Sequence, residues 1–494
     1  MNGSKLRHWL FSVAVGFTIS LEIFMSPSWV KAQELKQEKT EQGNVSALPF
    51  QPTEEDVQAG KVIFERRCKV CHGEEGNGEG PAATYLKPRP RDFTKGLFKI
   101  RTTPSGKLPT DEDLFKVISQ GVIGTVMPAW DTNLSEKERW QVISYIKTFA
   151  KKFARLKEPP ARITVGERVP SSPESIERGK KLFRANDCFK CHGTEGRADG
   201  PSAIDLKDDW DIPIRPANLT RNWNFRGGNR PEDIYTRIST GLMGTPMPSF
   251  SDTLSNNDIW DLVNFVLSIA VFPEKPKLKP VMKAKLVTGP LPSNPNDSKW
   301  SEAQVFEFPL APQFNPDQPL FTPIDVAFDV SALYNDKEIA IRVVWDDPTN
   351  SKPNAEMKTY EDAIALLFSV QTADSPHTGN LWLWRSDTRE VAEGTANSLE
   401  SLISETTKSD QVTAVAAYKD GQYKLVFKRA LATNDRKSDI QFEPGKLTPI
   451  SFFAWDGNSG EHGSNFSMSW RYYVLFLEPP TPVKVILPYH DANR

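Results

Sequence analysis

The stretch RCKVCHGEEGNGEGP, Arg67–Pro81, decides how the first half of the chain is read, because DCFKCHGTEGRADGP, Asp187–Pro201, repeats it 120 residues later. Cys68, Cys71, Cys188 and Cys191 are the chain's 4 cysteines, and all of them fall in these two Cys-x-x-Cys-His motifs. None remains for a structural disulfide. The repetition extends outward. GVIGTVMPAW (Gly121–Trp130) matches GLMGTPMPSF (Gly241–Phe250), and LSEKERWQVISYIKTF matches LSNNDIWDLVNFVLSI with Trp140 over Trp260 and Tyr145 over Phe265. RPRDFT (Arg89–Thr94) matches RPANLT (Arg215–Thr220) at an offset of 126, so one loop has lengthened and another shortened while the ends stay in step. The chain therefore carries two duplicated modules of roughly 100 residues each.

Each module reads as helical. Val57, Ile63 and Phe64 form an apolar stripe that Thr53 can cap, and Trp140, Ile143 and Ile146 recur at helical spacing behind Ser135. A proline-punctuated linker separates the modules and a second one, rich in proline, follows Phe272. From about Trp300 the apolar period changes to alternation. DVAFDVSALYNDKEIAIRVVW and VTAVAAYKDGQYKLVFKRAL read as hairpins turning at Asn335-Asp336 and Asp420-Gly421, and NLWLWRS, ISFFAW and WRYYVLFLE add short strands. A β-sandwich is the economical reading. The chain has 494 residues, 38% of them hydrophobic, and a net charge of -2. That length suggests about three domains, and that charge leaves no basic footprint for nucleic acid.

Cys-x-x-Cys alone fits zinc, a redox dithiol or haem. Structural zinc needs four closed ligands, whereas each motif offers two thiols and one histidine. A thioredoxin-like dithiol needs a βαβ setting and does not require a following histidine. Cys-x-x-Cys-His is the attachment signature of c-type haem, in which the thiols add to the porphyrin vinyl groups and the next residue places an imidazole under the iron. A low-spin carrier needs a second axial ligand, and a methionine thioether favours ferrous iron. Met127 and Met247 each lie 55 residues past His72 and His192, and each precedes proline. Met243 is opposite Ile123 in the first copy, so the repeat selects Met247.

On these motifs both modules resemble class I c-type cytochromes. The resemblance implies two covalent haem c groups. Cys68, Cys71, His72 and Met127 would hold the first, and Cys188, Cys191, His192 and Met247 the second. Arg89 and Arg215, equivalent across the copies, are candidates to pair with haem propionates, with solvated loop arginines as the other reading. The final residues, through WSEAQVFEFPL, ALYNDKEIAIRVVWDDPT, EDAIALLFSV, GNLWLWRSD, FFAWDGNSGE and SWRYYVLFLEP, resemble the haem-binding γ-subunit domain of ethylbenzene dehydrogenase and related periplasmic molybdenum enzymes. That family holds a non-covalent b haem between a methionine and a lysine. Here the corresponding loops carry His377 and Asn465, leaving His377, His462 and Met468 as candidate ligands of a third haem.

The expected architecture is multidomain: two all-α cytochrome c domains followed by an all-β sandwich domain. The expected boundaries are a signal peptide over 1–32, a polar linker over 33–52, cytochrome domains over 53–156 and 172–272 joined by 157–171, a proline-rich linker over 273–297 and the sandwich over 298–490. The leader reading rests on Lys5 and Arg7 before an apolar run from Leu10 to Leu21, with Val30 and Ala32 at cleavage spacing. An uncleaved inner-membrane anchor is its alternative. The functional expectation is a periplasmic electron-transfer subunit, not itself an enzyme, linking a molybdenum oxidoreductase to a soluble cytochrome or oxidase. The alternatives are a dihaem peroxidase with an open iron, and a binding protein whose sandwich docks a partner or stacks a glycan on Trp382 and Trp384.

Overall fold

The computed structural model describes residues 50–481, apart from 87, 271–279, 313–326, 371–377, 397–405, 464, 470 and 471. The expected leader and His377 lie outside the described residues. The first module consists of α1 (Glu54–Arg67), α2 (Lys69–His72), α3 (Asp111–Gln120), α4 (Glu136–Phe149) and α5 (Lys151–Ala154). The second repeats the plan in α6 (Pro173–Ala185), α7 (Phe189–His192), α8 (Pro231–Thr240) and α9 (Asn256–Ser268). Thr53 with Asp56, Ser135 with Glu138 and Ser255 with Asp258 close capping boxes that fix where α1, α4 and α9 begin.

The first and last long helices of each module cross at a glycine. A Cβ on Gly60 would stand 2.0 Å from the carbonyl oxygen of Gln141, and one on Gly179 would stand 2.0 Å from that of Asp261. Only a residue without a side chain lets α1 meet α4, or α6 meet α9, backbone to backbone. Around these crossings Phe64, Val142 and Ile143 build one apolar core, and Phe183, Trp260 and Val263 build the other. The modules then interlock. Arg101, fully withdrawn from solvent, donates to the carbonyl of Thr240 at 2.7 Å, and Arg237 donates back to the carbonyls of Lys99 and Arg101.

The remainder forms β1 (Val281–Leu286), β2 (Phe306–Pro312), β3 (Ala327–Tyr334), β4 (Glu338–Asp346), β5 (Ala363–Val370), β6 (Thr378–Arg385) and β7 (Val391–Ala396). It continues through β8 (Thr407–Lys408), β9 (Thr413–Lys419), β10 (Gln422–Ala430), β11 (Leu447–Trp455), β12 (Ser467–Ser469) and β13 (Tyr473–Leu477). Among the described residues the strands run in the order β8-β7-β6-β5-β11-β12-β2-β3-β4-β10-β9, with β13 and β1 making a second connection from β11 to β3. The sheet folds back on itself. Trp345 on β4 meets Trp384 on β6 at 6.3 Å and Trp382 on β6 meets Phe427 on β10 at 6.2 Å, although these strands are not neighbours in the sheet. Trp382 and Trp384 are thus core residues, 0% and 2% exposed, and offer no sugar-stacking face. The β9–β10 turn, Asp420-Gly421, has both φ angles positive, at 48° and 68°, as a two-residue hairpin of this hand requires.

The β domain docks on the second module through charge. Arg221 pairs with Glu307 at 2.8 Å and lies 3.6 Å from Asp329, while Asn218 donates to Asp346 at 2.7 Å. The hairpin tip sits against the loop after the second Cys-x-x-Cys-His motif, where Arg197 donates to the Asp420 carbonyl. A Cβ on Gly421 would stand 2.3 Å from the Asp199 side chain. No helix among the described residues is long and apolar enough to cross a membrane.

Candidate functional site

The short helices α2 and α7 present the motifs, and both open on one common cavity of about 780 Å³. Cys68, Cys71, His72 and Met127 line it from the first module, and Cys188, Cys191, His192 and Met247 from the second. The histidines are held alike. His72 Nδ1 lies 3.1 Å from the carbonyl of Arg91, and His192 Nδ1 lies 2.9 Å from that of Ala217, the equivalent position. A proton on Nδ1 donated to that carbonyl leaves the Nε2 lone pair for a metal. Burial pushes both imidazoles below their ordinary range and so favours the neutral, ligating form. Phe93 stacks on His72 with ring centroids 4.5 Å apart.

The methionine loops are equally matched. Met127 N donates to Thr125 Oγ1 at 3.1 Å and Met247 N to Thr245 Oγ1 at 3.3 Å, and the backbones of Val122 and Leu242 close back on the methionine carbonyls. Gly121 turns the first loop at φ +68°, where a Cβ would stand 2.6 Å from the Met127 carbonyl oxygen. Met243 is elsewhere: its sulfur accepts from Gly106 N at 3.3 Å, across the boundary between the modules.

Burial pushes Cys68 up to about 12 and Cys188 up to about 11, and raises Cys71 and Cys191 as well. A reactive dithiol needs the opposite shift. The cavity wall instead suits a large apolar group carrying acids. Trp130 Nε1 is a buried donor with no acceptor, and Arg91, Lys99, Arg226 and Arg237 line the same space. Burial pushes Lys99 down to about 7 and Arg91 and Arg237 down to about 10. Enclosed cations with no ion pair among the described residues, beside paired thiols, imidazoles and thioethers, fit a haem with its propionates. Arg89 and Arg215 also reach the wall, with Arg89 exposed and Arg215 3.7 Å from Asp456. Comparison of the copies passed over Arg91 because Ala217 stands opposite it, yet Arg91 is the more enclosed cation.

The third set of candidates is not brought together with these. His462 is exposed, stacks on Tyr360 with centroids 3.8 Å apart and lies 2.9 Å from the Gly460 carbonyl. Met468 packs in an apolar cluster with Phe453, Trp455 and Phe466. Neither lines the common cavity.

Fold and site together define a c-type cytochrome built of two helical modules and followed by a β domain. The family description Cytochrome c matches residues 176–270, Cytochrome C oxidase, cbb3-type, subunit III matches 55–146, and Ethylbenzene dehydrogenase matches 297–401 and 394–467. Cytochrome c6 of Chlorolobion braunii is 32% identical over 93 residues, which are 19% of this chain and 90% of that protein. The chain belongs to the cytochrome c family and carries an ethylbenzene dehydrogenase-like domain behind its cytochrome modules. A Haloferax mediterranei protein named as a respiratory nitrate reductase heme subunit is 24% identical over 204 residues, covering 38% of this chain and 70% of that one. A chain of the reducing HAO-like protein complex of Kuenenia stuttgartiensis is 44% identical and covers 44% of this chain and 97% of its own length, with a TM-score of 0.42.

Proposed function

We propose that the protein is an exported dihaem cytochrome c that carries single electrons between a molybdenum oxidoreductase complex and a downstream acceptor, with no substrate chemistry of its own. Each bound haem would supply one-electron redox chemistry. The observation that carries the reading is the shared cavity, lined by both motifs with their histidines held through Nδ1 and by two methionines on glycine-turned loops. His72 and Met127 would hold one iron and His192 and Met247 the other, each pair an imidazole and a thioether suited to electron transfer. Arg91, Lys99, Arg226 and Trp130 would receive the propionates. A nitrate reductase heme subunit among the relatives supports an oxidoreductase partner.

The β domain serves in this reading to dock the carrier on its partner. A third, b-type haem is not needed, since His462 and Met468 occupy separate settings. Three measurements on the full chain test the proposal. A pyridine haemochrome assay should give two covalent c haems, with no haem extracted by acid acetone. Carbon monoxide added to the ferrous protein should leave the spectrum unchanged; binding would favour the peroxidase-type alternative. N-terminal sequencing of the exported protein should begin at Gln33, whereas a chain starting at Met1 in the membrane fraction would point to an anchor.

A further inference from the structure

Three aspartates of the β domain meet where it abuts the second module. Asp347 follows β4, Asp362 precedes β5 and Asp456 follows β11, and β5 and β11 are paired so that Ala363 lies opposite Trp455. The three side chains are 0%, 0% and 1% exposed, and an oxygen of each lies within 4.8 Å of the others. Their sequence context is the Trp-Asp punctuation of the strand ends, WDDP at Trp345–Pro348 and WDG at Trp455–Gly457, which the electron-transfer reading does not use.

Most of the carboxylate oxygens are accounted for. Asp362 accepts from Ser351 N at 2.7 Å, Tyr423 OH at 2.9 Å and Gly457 N at 3.1 Å. Asp456 accepts from the amide and hydroxyl of Ser459. Asp347 Oδ1 accepts from the amide and hydroxyl of Thr349, but its Oδ2 is buried and accepts from nothing. The ion pair that reaches the group is Arg215 with Asp456 at 3.7 Å. One partly exposed guanidinium against three dry carboxylates leaves negative charge that burial does not tolerate.

Two things can relieve it: a proton or a metal ion. Three of the donors around Asp362 and Asp456, the backbone N–H groups of Ser351, Gly457 and Ser459, stabilise an ionised carboxylate and cannot accept from a protonated one. That favours the ion. The donor set is all oxygen, contributed by three separate loops, with no histidine or cysteine in it. Such a set suits a hard cation that takes carboxylates in flexible geometry, and magnesium, which gives up its water shell reluctantly, suits a dry site less well.

We propose that Asp347, Asp362 and Asp456 bind a calcium ion at the joint between the β domain and the second cytochrome module. The ion would be structural. It would tie together the ends of β4, β5 and β11, and through Asp456, which also lines the haem cavity, it would hold the face that Arg215 meets.

The holoprotein, stripped with EGTA and transferred to chelator-free buffer at neutral pH, tests this by calorimetric titration with calcium chloride alone. The expected result is binding of about one equivalent, with a rise of several degrees in the melting temperature at saturation. Magnesium at the same concentration should give a much smaller shift, and Asp347→Asn should lose both the binding and the calcium-dependent rise. If that variant fails to fold, the wild-type titration decides alone. Stripped wild type that binds no calcium and melts at the same temperature with or without it would overturn the proposal. So would an Asp347→Asn variant that is more stable than wild type in calcium, because the three aspartates would then be sharing protons.

Discussion

Arg221 and Glu307 meet at 2.8 Å with side chains only 3% and 4% exposed, so the second module and the β domain are joined by an ion pair almost wholly withdrawn from water. Such a pair adds little compared with a well-packed apolar contact, but removing one partner leaves the other charge stranded. Arg221→Met should therefore destabilise the protein by about 3–5 kcal/mol, and Glu307→Gln added to it should recover part of that loss. Lys190→Ala, which removes an exposed pair with Asp187, should change stability by less than about 1 kcal/mol. Scanning calorimetry on the three variants checks the ranking.

Asp329 gives this joint a pH dependence. Burial, which outweighs the neighbouring Arg221, pushes its carboxyl up to about 6. The folded state then binds the proton more tightly than the unfolded chain does, so stability contributed by the protonated form is lost as pH rises from about 4 to about 6. Asp329→Asn should remove this dependence and be more stable than wild type at pH 7, by up to about 3 kcal/mol. Urea unfolding of both proteins at pH 4 and pH 7 reads the difference, and a wild type more stable at neutral pH than the variant would contradict it.

Gly60 and Gly179 invert the usual helix rule. Alanine in place of a helical glycine ordinarily stabilises by about 0.5–1 kcal/mol. Here the added Cβ would enter a carbonyl oxygen 2.0 Å away on the crossing helix. Gly179→Ala should force α6 and α9 apart and destabilise by about 1–3 kcal/mol. Thermal melts of the haem-loaded protein measure it.

The parts of this molecule legible in the sequence are those specified locally or twice. Thr53, Ser135 and the hairpin turn Asp420-Gly421 act on their own neighbours, so composition and spacing suffice to place them. The repeat made the chemistry readable, since a Cys-x-x-Cys-His followed at equal distance by Met-Pro in two copies is hard to produce by packing alone. What stayed hidden depends on tertiary approach. Gly60 and Gly179 are conspicuous only once two backbones touch. Arg91 lacks an equivalent in the second copy. Asp347 and Asp362 lie far from Asp456 in the chain, and the three meet because β5 pairs with β11 and the folded sheet brings the end of β4 to them.

The two methionines of the second loop separate cleanly by experiment. Met247→Ala should lower the potential of one haem and remove about half of the near-infrared methionine–iron absorption, because a soft ligand that favours ferrous iron is lost. Met127→Ala should do the same for the other half. Met243→Ala should leave both bands in place, since its sulfur faces Gly106. A larger spectral change in Met243→Ala than in Met247→Ala would reverse the assignment.

The buried guanidinium of Arg101, ending on the Thr240 carbonyl of the other module, makes the duplication hard to undo. A copy excised by recombination would carry away either a dry cation without its acceptor or a carbonyl without its donor, and would open its half of the cavity to water. Gene rearrangement can therefore move the pair to a new context far more readily than it can move one member.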